Sequence, residues 1–452
     1  MLEDDVRANQ KSQLIKHIML AGTLFFLSLV LAVSVIYAMN LMREGGRNRL
    51  ENRVSVPLSP PPEEGPKLSQ RDLAALLGSR ELELERGSFF VIPGERELLV
   101  KTTLEPDLQA AASSWVNGSG ALMTALVVME PRTGRILAMA GSQDAEQRNT
   151  ALLSVFPAAS LFKIVTAAAA LESGGLSADS ALSYDGGKHT LYKNNVQKDT
   201  AQGNHSVTFK ESFADSINSV FGKLGAHTLG ADNLYDYANR FGFNRPIAFD
   251  LPLGTSVYPG DPLSDDTFRL AELASGYNRE TLLSPVHGAL LASMAINGGL
   301  IFEPFVVSEV FDRQNHIWYR GQTEAGSRVL SPEAASELAV MMQTTITSGT
   351  GRKKFYDSSS HPVLSQLTIG GKSGSINDVD GNRVDWFVAY GQPKDEKSQA
   401  GALALAAVVV HSGYTNVVSQ DLVRKAFLLY YDQRFSTENP ALVVAGRKPG
   451  RN

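Results

Sequence analysis

Residues Ile18 to Met39 read IMLAGTLFFLSLVLAVSVIYAM and carry no charge. As a helix, a run of this length covers roughly 33 Å at about 1.5 Å per residue, the thickness of a bilayer core. A globular core rarely takes a helix that is apolar on every face. The segment therefore predicts a membrane anchor at 18–39 behind a short tail at 1–17. A cleaved signal peptide is the competing reading, but signal cores run to only about 7–15 residues and this run lacks a clear A-x-A site. Arg7, Lys11 and Lys16 precede the span, and Arg43, Arg47, Arg49 and Arg53 follow it. Basic residues alone thus set no orientation.

Behind the apolar run the chain turns polar. Pro57 to Pro66 reads PLSPPPEEGP, which suits a semi-rigid spacer or simple disorder equally well. Leu68 to Arg86 is amphipathic and charged, with no assignable role. The expected organisation is a linker and juxtamembrane segment at 40–88, a folded domain at 89–435 and a disordered tail at 436–452.

Composition excludes several classes. The formal net charge of −5 gives no footing for a nucleic-acid partner. Cysteine is absent, so disulfides, thiolate catalysis and Cys-based metal sites are all excluded. The eight His show no H-E-x-x-H spacing, and no metal or cofactor is implied.

The folded part reads as α+β. Phe89 to Leu104 predicts two strands around a Pro-Gly turn. Leu122 to Gly141 predicts two more, joined at Pro131 to Gly134. Ser160 to Leu171 is an Ala-rich helix stopping at Gly174-Gly175. Val207 to Gly299 is mainly helices and loops. Strands return at Leu367 to Gly374, Trp386 to Gly391 and Ala402 to His411, and an amphipathic helix closes the domain at Asn416 to Phe435. This order predicts an antiparallel sheet flanked by helices, with an inserted all-α subdomain.

Three short motifs carry chemistry. Ser160-Leu161-Phe162-Lys163 is an S-x-x-K, and on a helix positions i and i+3 share a face. The Lys amine can then act as the base that a hydroxyl nucleophile needs. Ser216-Ile217-Asn218 is an S-x-N, whose hydroxyl and amide can relay protons and hold a substrate amide. Ser375-Ile376-Asn377 matches the same pattern. Lys372-Ser373-Gly374, followed by Ser375, lies in a strand-like run; a point charge and hydroxyls there suit a carboxylate. Singly, each motif has a bland alternative: an N-cap Ser with an exposed Lys, or a glycine-rich strand. A P-loop reading of Gly371 to Ser373 fails, because Gln366 stands where the first Gly is required.

Taken in this order, the motifs resemble the signature set of penicillin-binding proteins and serine β-lactamases. KTTLEPDLQ (Lys101 to Gln109), FPAASLFKIVTAAAAL, YANRFGF (Tyr237 to Phe243), LLSPVHGALLASMAINGG (Leu282 to Gly299), MMQTTITSGTG (Met341 to Gly351) and DWFVAYGQP (Asp385 to Pro393) resemble landmarks of the transpeptidase family over about Lys101 to Phe435. One departure is Ser373, where Thr is usual.

The resemblance implies catalytic roles for Ser160, Lys163, Ser216 and Asn218. It implies that Lys372, Ser373, Gly374 and Ser375 form the substrate-binding strand, and that the backbone N–H groups of Ser160 and Ser375 form an oxyanion hole. It implies peptidoglycan stem peptides ending in D-Ala-D-Ala as substrate, acylation by β-lactams, and a catalytic domain outside the cytoplasmic membrane, which makes the tail at 1–17 cytoplasmic. A cell-wall synthesis complex with a glycosyltransferase is the expected setting. The short stretch between anchor and domain implies a monofunctional transpeptidase. A class D-like β-lactamase or membrane β-lactam sensor shares these motifs. A catalytically weak cell-wall scaffold is the alternative from another class. A class A lactamase is disfavoured because the chain has no Leu-Asn dipeptide.

Overall fold

The run Leu403 to Val410, LALAAVVV, is apolar at every position, as a strand covered on both faces must be. In the computed structural model it forms the middle of the main sheet. The structure describes residues 67–78, 89–92, 97–146, 148–196, 203–324, 326–413 and 417–438. The predicted span 18–39, with its flanking tail and proline-rich spacer, lies outside them. Among the described residues, no helix is long and apolar enough to cross a membrane.

In chain order the principal elements are α1 (Gln70–Leu77), β1 (Phe89–Ile92), β2 (Leu98–Thr102), α2 (Pro106–Asn117), β3 (Met123–Met129), β4 (Ile136–Gly141), α3 (Lys163–Glu172), α4 (Phe209–Ala214), α5 (Asn218–Lys223), α6 (Gly230–Arg240), α7 (Thr267–Ser275), α8 (Pro285–Ser293), β5 (Val307–Asp312), β6 (Ile317–Arg320), α9 (Pro332–Thr347), β7 (Leu367–Asn377), β8 (Arg383–Pro393), β9 (Leu403–His411) and α10 (Ser419–Glu438). The main sheet has the order β7-β8-β9-β3-β4, antiparallel throughout. A second, smaller sheet has the order β1-β2-β5-β6.

Alternation along β9 divides the core in two. Leu403, Leu405, Ala407 and Val409 pack with Leu108, Ala112 and Val116 of α2 and with Leu422, Phe427 and Tyr431 of α10. Ala404, Ala406, Val408 and Val410 join the larger cluster with α3 and α8. The sheet is thus a central layer, and the predicted helical middle (α4 to α8) supplies much of one side.

One boundary shifts. Ser69 and Asp72 form a capping box that starts α1. Leu73 and Leu77 of this helix are fully buried in the larger core. The Leu68 N–H donates to the Trp318 carbonyl (2.8 Å), and Gln70 Nε2 donates to Asp250 Oδ1 (3.2 Å). The folded unit therefore takes in residues that the sequence reading assigns to the linker. A two-turn helix with two core leucines is too short to stand out from a charged surround. At the other end α10 runs to Glu438, whose carboxylate accepts from Ser398 and the Gln399 N–H.

Candidate active site

The nucleophile turn is built under constraint. The Ala158 N–H donates to the Thr281 carbonyl (2.8 Å), and Trp386 Nε1 donates to the Pro157 carbonyl (2.9 Å). Ala159 then adopts φ +49°, a left-handed conformation uncommon for a residue with a Cβ. A 3₁₀ turn follows at Ala159–Phe162, and the α-helix proper begins at Lys163. Ser160 therefore precedes α3 rather than opening it. In a 3₁₀ turn residues i and i+3 eclipse, which brings Ser160 and Lys163 onto one line. Gly276, at φ +67°, closes α7 against this turn. A Cβ there would lie 1.9 Å from the Ala159 carbonyl oxygen, so only glycine fits.

The S-x-N segment is equally constrained. A capping box of Thr208 and Glu211 starts α4. The chain turns at Ser216, φ +58°, and restarts as α5 at Asn218. Two non-glycine residues thus adopt left-handed conformations here, Ala159 immediately before the S-x-x-K and Ser216 as the first residue of the S-x-N, the kind of strain that clusters at functional sites.

Hydrogen bonds join the motifs. Lys163 is fully buried. Its Nζ lies 2.9 Å from Ser160 Oγ, 2.7 Å from Asn218 Oδ1 and 2.5 Å from the Ser275 carbonyl oxygen. Asn218 is oriented by its own amide, with Nδ2 donating to the His189 carbonyl (2.8 Å). Lys372 is fully buried too. Its Nζ donates to Ser216 Oγ (3.0 Å) and to the Ser373 carbonyl (2.8 Å). Ser373 Oγ is 2.7 Å from Thr350 Oγ1. A Cβ on Gly374 would sit 3.2 Å from the Ala158 carbonyl and 3.3 Å from the Leu161 nitrogen, so β7 runs directly against the nucleophile turn. Ser375 stands apart from the cluster: it is exposed and its hydroxyl accepts from Arg383. Of the two S-x-N matches, Ser216 to Asn218 is the one in contact with both lysines.

Electrostatics follow from burial. Desolvation, joined by the nearby Lys372 charge, pushes the Lys163 amine well below its usual range. Burial brings Lys372 down to about 7, with the Asp215 carboxylate pulling the other way. A neutral Lys163 amine has two N–H donors and one lone pair. Asn218 Oδ1, in this orientation, and the Ser275 carbonyl can only accept. In that neutral form the donors go to them and the lone pair faces Ser160 Oγ, whereas the protonated amine donates to all three oxygens. The site thus sets a buried amine of lowered proton affinity beside the Ser160 hydroxyl, next to a second buried lysine held by the Ser216 hydroxyl and the Ser373 carbonyl.

Several participants carry no motif. The Ser275 and His189 carbonyls are backbone groups, invisible to residue type. Asp215 pairs with Lys188 (2.7 Å), and Thr350 arrives from the loop after α9. The run MMQTTITSGTG points to that loop without saying what its Thr touches.

This fold sets a buried lysine amine beside a serine hydroxyl. The family model described as penicillin binding protein transpeptidase domain matches residues 124–427, and the chain belongs to that family. Stage V sporulation protein D of Bacillus subtilis is 25% identical over 321 residues, which is 66% of this chain and 47% of that protein. Peptidoglycan D,D-transpeptidase PbpA of Mycolicibacterium smegmatis is 26% identical over 385 residues, 76% of this chain and 74% of that one. The chain thus spans under half the length of the first and about three quarters of the second. Among solved structures, the D,D-transpeptidase domain of a peptidoglycan glycosyltransferase from Eggerthella lenta superposes with TM-score 0.60 at 26% identity, covering 73% of this chain and 82% of that one. A penicillin G acyl-enzyme complex of penicillin-binding protein A from M. tuberculosis gives TM-score 0.56 at 23% identity over 73% and 80%, a likeness of fold.

Proposed function

We propose that this protein is a peptidoglycan D,D-transpeptidase that cross-links stem peptides through an acyl-enzyme on Ser160. The observation that carries the reading is the buried Lys163 amine, 2.9 Å from Ser160 Oγ, with its other partners all acceptors. In the first half-reaction Ser160 Oγ bonds to the penultimate D-Ala carbonyl carbon as its proton passes to Lys163. Collapse breaks the peptide bond, and that proton leaves on the terminal D-Ala amine. Ser216, hydrogen-bonded to Lys372, assists this transfer. In the second half-reaction an amine of another stem peptide attacks the ester, gives its proton to Lys163 and restores Ser160.

Lys372, Ser373 and Ser375 hold the terminal carboxylate, and Gly374 lets the substrate approach the strand. The N–H groups of Ser160 and Ser375 stabilise the oxyanion. β-Lactams, as D-Ala-D-Ala mimics, acylate the same serine. The apolar run 18–39 anchors the protein as a single-pass component of the cytoplasmic membrane, with the domain on the outer side where peptidoglycan lies. A glycosyltransferase is the expected partner in a cell-wall synthesis complex.

Acylation by fluorescent penicillin, read by intact mass on the full chain and its Ser160→Ala variant, tests this. A lasting adduct on the wild type alone supports the transpeptidase. Rapid drug turnover without an adduct points to a lactamase. No reaction in either sinks the enzymatic reading.

A further inference from the structure

Thr350 sits in the Ser348 to Gly351 loop that follows α9. Its main chain is fixed on both sides. The Thr350 N–H donates to the Ala214 carbonyl (3.1 Å), and Gln420 Nε2 of α10 donates to the Thr350 carbonyl (3.4 Å). Gly349 permits this approach, since a Cβ there would lie 2.5 Å from the Ala214 oxygen. Ala214 immediately precedes Asp215 and Ser216. Thr350 is therefore pinned to the S-x-N segment by its backbone, while its hydroxyl lies 2.7 Å from Ser373 Oγ on the Lys372-Ser373-Gly374 strand.

A bound carboxylate would give this contact a direction. Each hydroxyl has one proton. Thr350 Oγ1 has two acceptors within reach, Ser373 Oγ at 2.7 Å and the Ala214 carbonyl at 3.2 Å. If Ser373 donated to Thr350, it would turn a lone pair toward any incoming carboxylate. If Thr350 donates to Ser373, the Ser373 proton is free for that carboxylate. An ionised carboxylate only accepts, so its arrival selects the second arrangement. The result is a chain from Thr350 O–H to Ser373 O–H to carboxylate, in which each bond polarises the next. Ser373 also lacks the β-methyl that stiffens χ1 in Thr. Its hydroxyl orientation must then be set from outside, and Thr350 is the group in contact with it.

We infer that Thr350 is a positioning residue of the carboxylate subsite, orienting the Ser373 hydroxyl and so setting the preference for substrates that end in a free carboxylate. This rests on the transpeptidase reading above.

The test compares benzylpenicillin with its methyl ester, in which the carboxylate is masked. Acylation rates are followed by intact mass on the full chain, its Thr350→Val variant and its Thr350→Ser variant. Thr350→Val should slow acylation by benzylpenicillin about 3- to 10-fold, the scale of one lost hydrogen bond, chiefly through weaker binding. The ester should change little, so the preference for the free acid shrinks, and Thr350→Ser should restore it. An equal loss on acid and ester would make Thr350 merely structural and overturn the inference. Unchanged rates on both would overturn it as well. A wild type that forms no adduct with either compound fails at the parent reading instead, and the inference falls with it.

Discussion

Lys163 and Lys372, both fully buried, hydrogen-bond to the two ends of the same tripeptide: Lys163 Nζ is 2.7 Å from Asn218 Oδ1, and Lys372 Nζ is 3.0 Å from Ser216 Oγ. Both amines hold neutral oxygens. Burial lowers the proton affinity of each, and the two charges disfavour each other, so the site favours at most one full positive charge. The proposed roles, Lys163 as base and Lys372 as cation, yield the first prediction.

Acylation should show a bell-shaped pH dependence. The rate rises as Lys163 loses its proton and falls as Lys372, held down at about 7 in the free protein, loses the charge that draws the carboxylate. Rates from pH 5 to 10 on the wild type and a Lys372→Arg variant check this. Arginine stays charged throughout, so its alkaline limb should flatten. A limb unchanged in the variant would remove Lys372 from the account.

Lys163→Met and Lys163→Arg should both lose acylation by about 10²- to 10⁴-fold. Methionine cannot take a proton, and arginine never gives one up. Adduct formation under excess penicillin measures the loss. Substantial activity in the arginine variant would mean that charge, not basicity, is what position 163 supplies.

Gly276→Ala should destabilise the protein by about 1–3 kcal/mol from backbone conformation alone and cut acylation further. Its Cβ would strike the Ala159 carbonyl, 1.9 Å away, and push the nucleophile turn from Lys163. Thermal melting with adduct kinetics separates the effects; a melting point and acylation rate equal to wild type would refute the close contact.

Acid should weaken the fold through His287. This side chain is fully buried, donates Nε2 to the Phe241 carbonyl (2.7 Å) and is pushed down to about 4 by burial. The unfolded chain binds a proton between about pH 6.5 and 4 that the native protein refuses. Stability is therefore full above 6.5 and lost as pH falls toward 4, by about 3 kcal/mol. Urea unfolding at pH 7 and pH 4.5 should show a smaller difference in His287→Gln. Lys372 acts with the same sign in a higher window, between about 7 and its ordinary 10.5.

Leu73→Ala should cost about 2–5 kcal/mol, as for other fully buried leucines. A loss below 1 kcal/mol would show that α1 is not part of the folded unit.

Local pattern in the sequence carried a good part of this architecture. Alternation and continuous apolar runs marked β3, β4, β7, β8 and β9, because strand periodicity is written in neighbouring residues. Ser160 and Lys163 were legible as a pair because positions three apart on a helical turn share a face. Their roles could be named because the three motifs stand in the family's order. The start of the folded unit was missed, since two leucines in a short charged helix become core only when the remaining chain packs on them.

By itself the sequence determined which elements form and which residue types are available for acyl transfer. Only the tertiary structure decided how they meet. Lys163 and Ser275 are joined through a backbone carbonyl across 112 positions, Lys372 and Ser216 through a hydroxyl across 156, and Thr350 reaches Ser373 from a loop whose sequence does not say what it touches. Such contacts depend on where helices end and strands cross, and carbonyl acceptors are the same in every residue. Burial makes those meetings matter, because an amine out of water answers to the few oxygens the fold puts beside it.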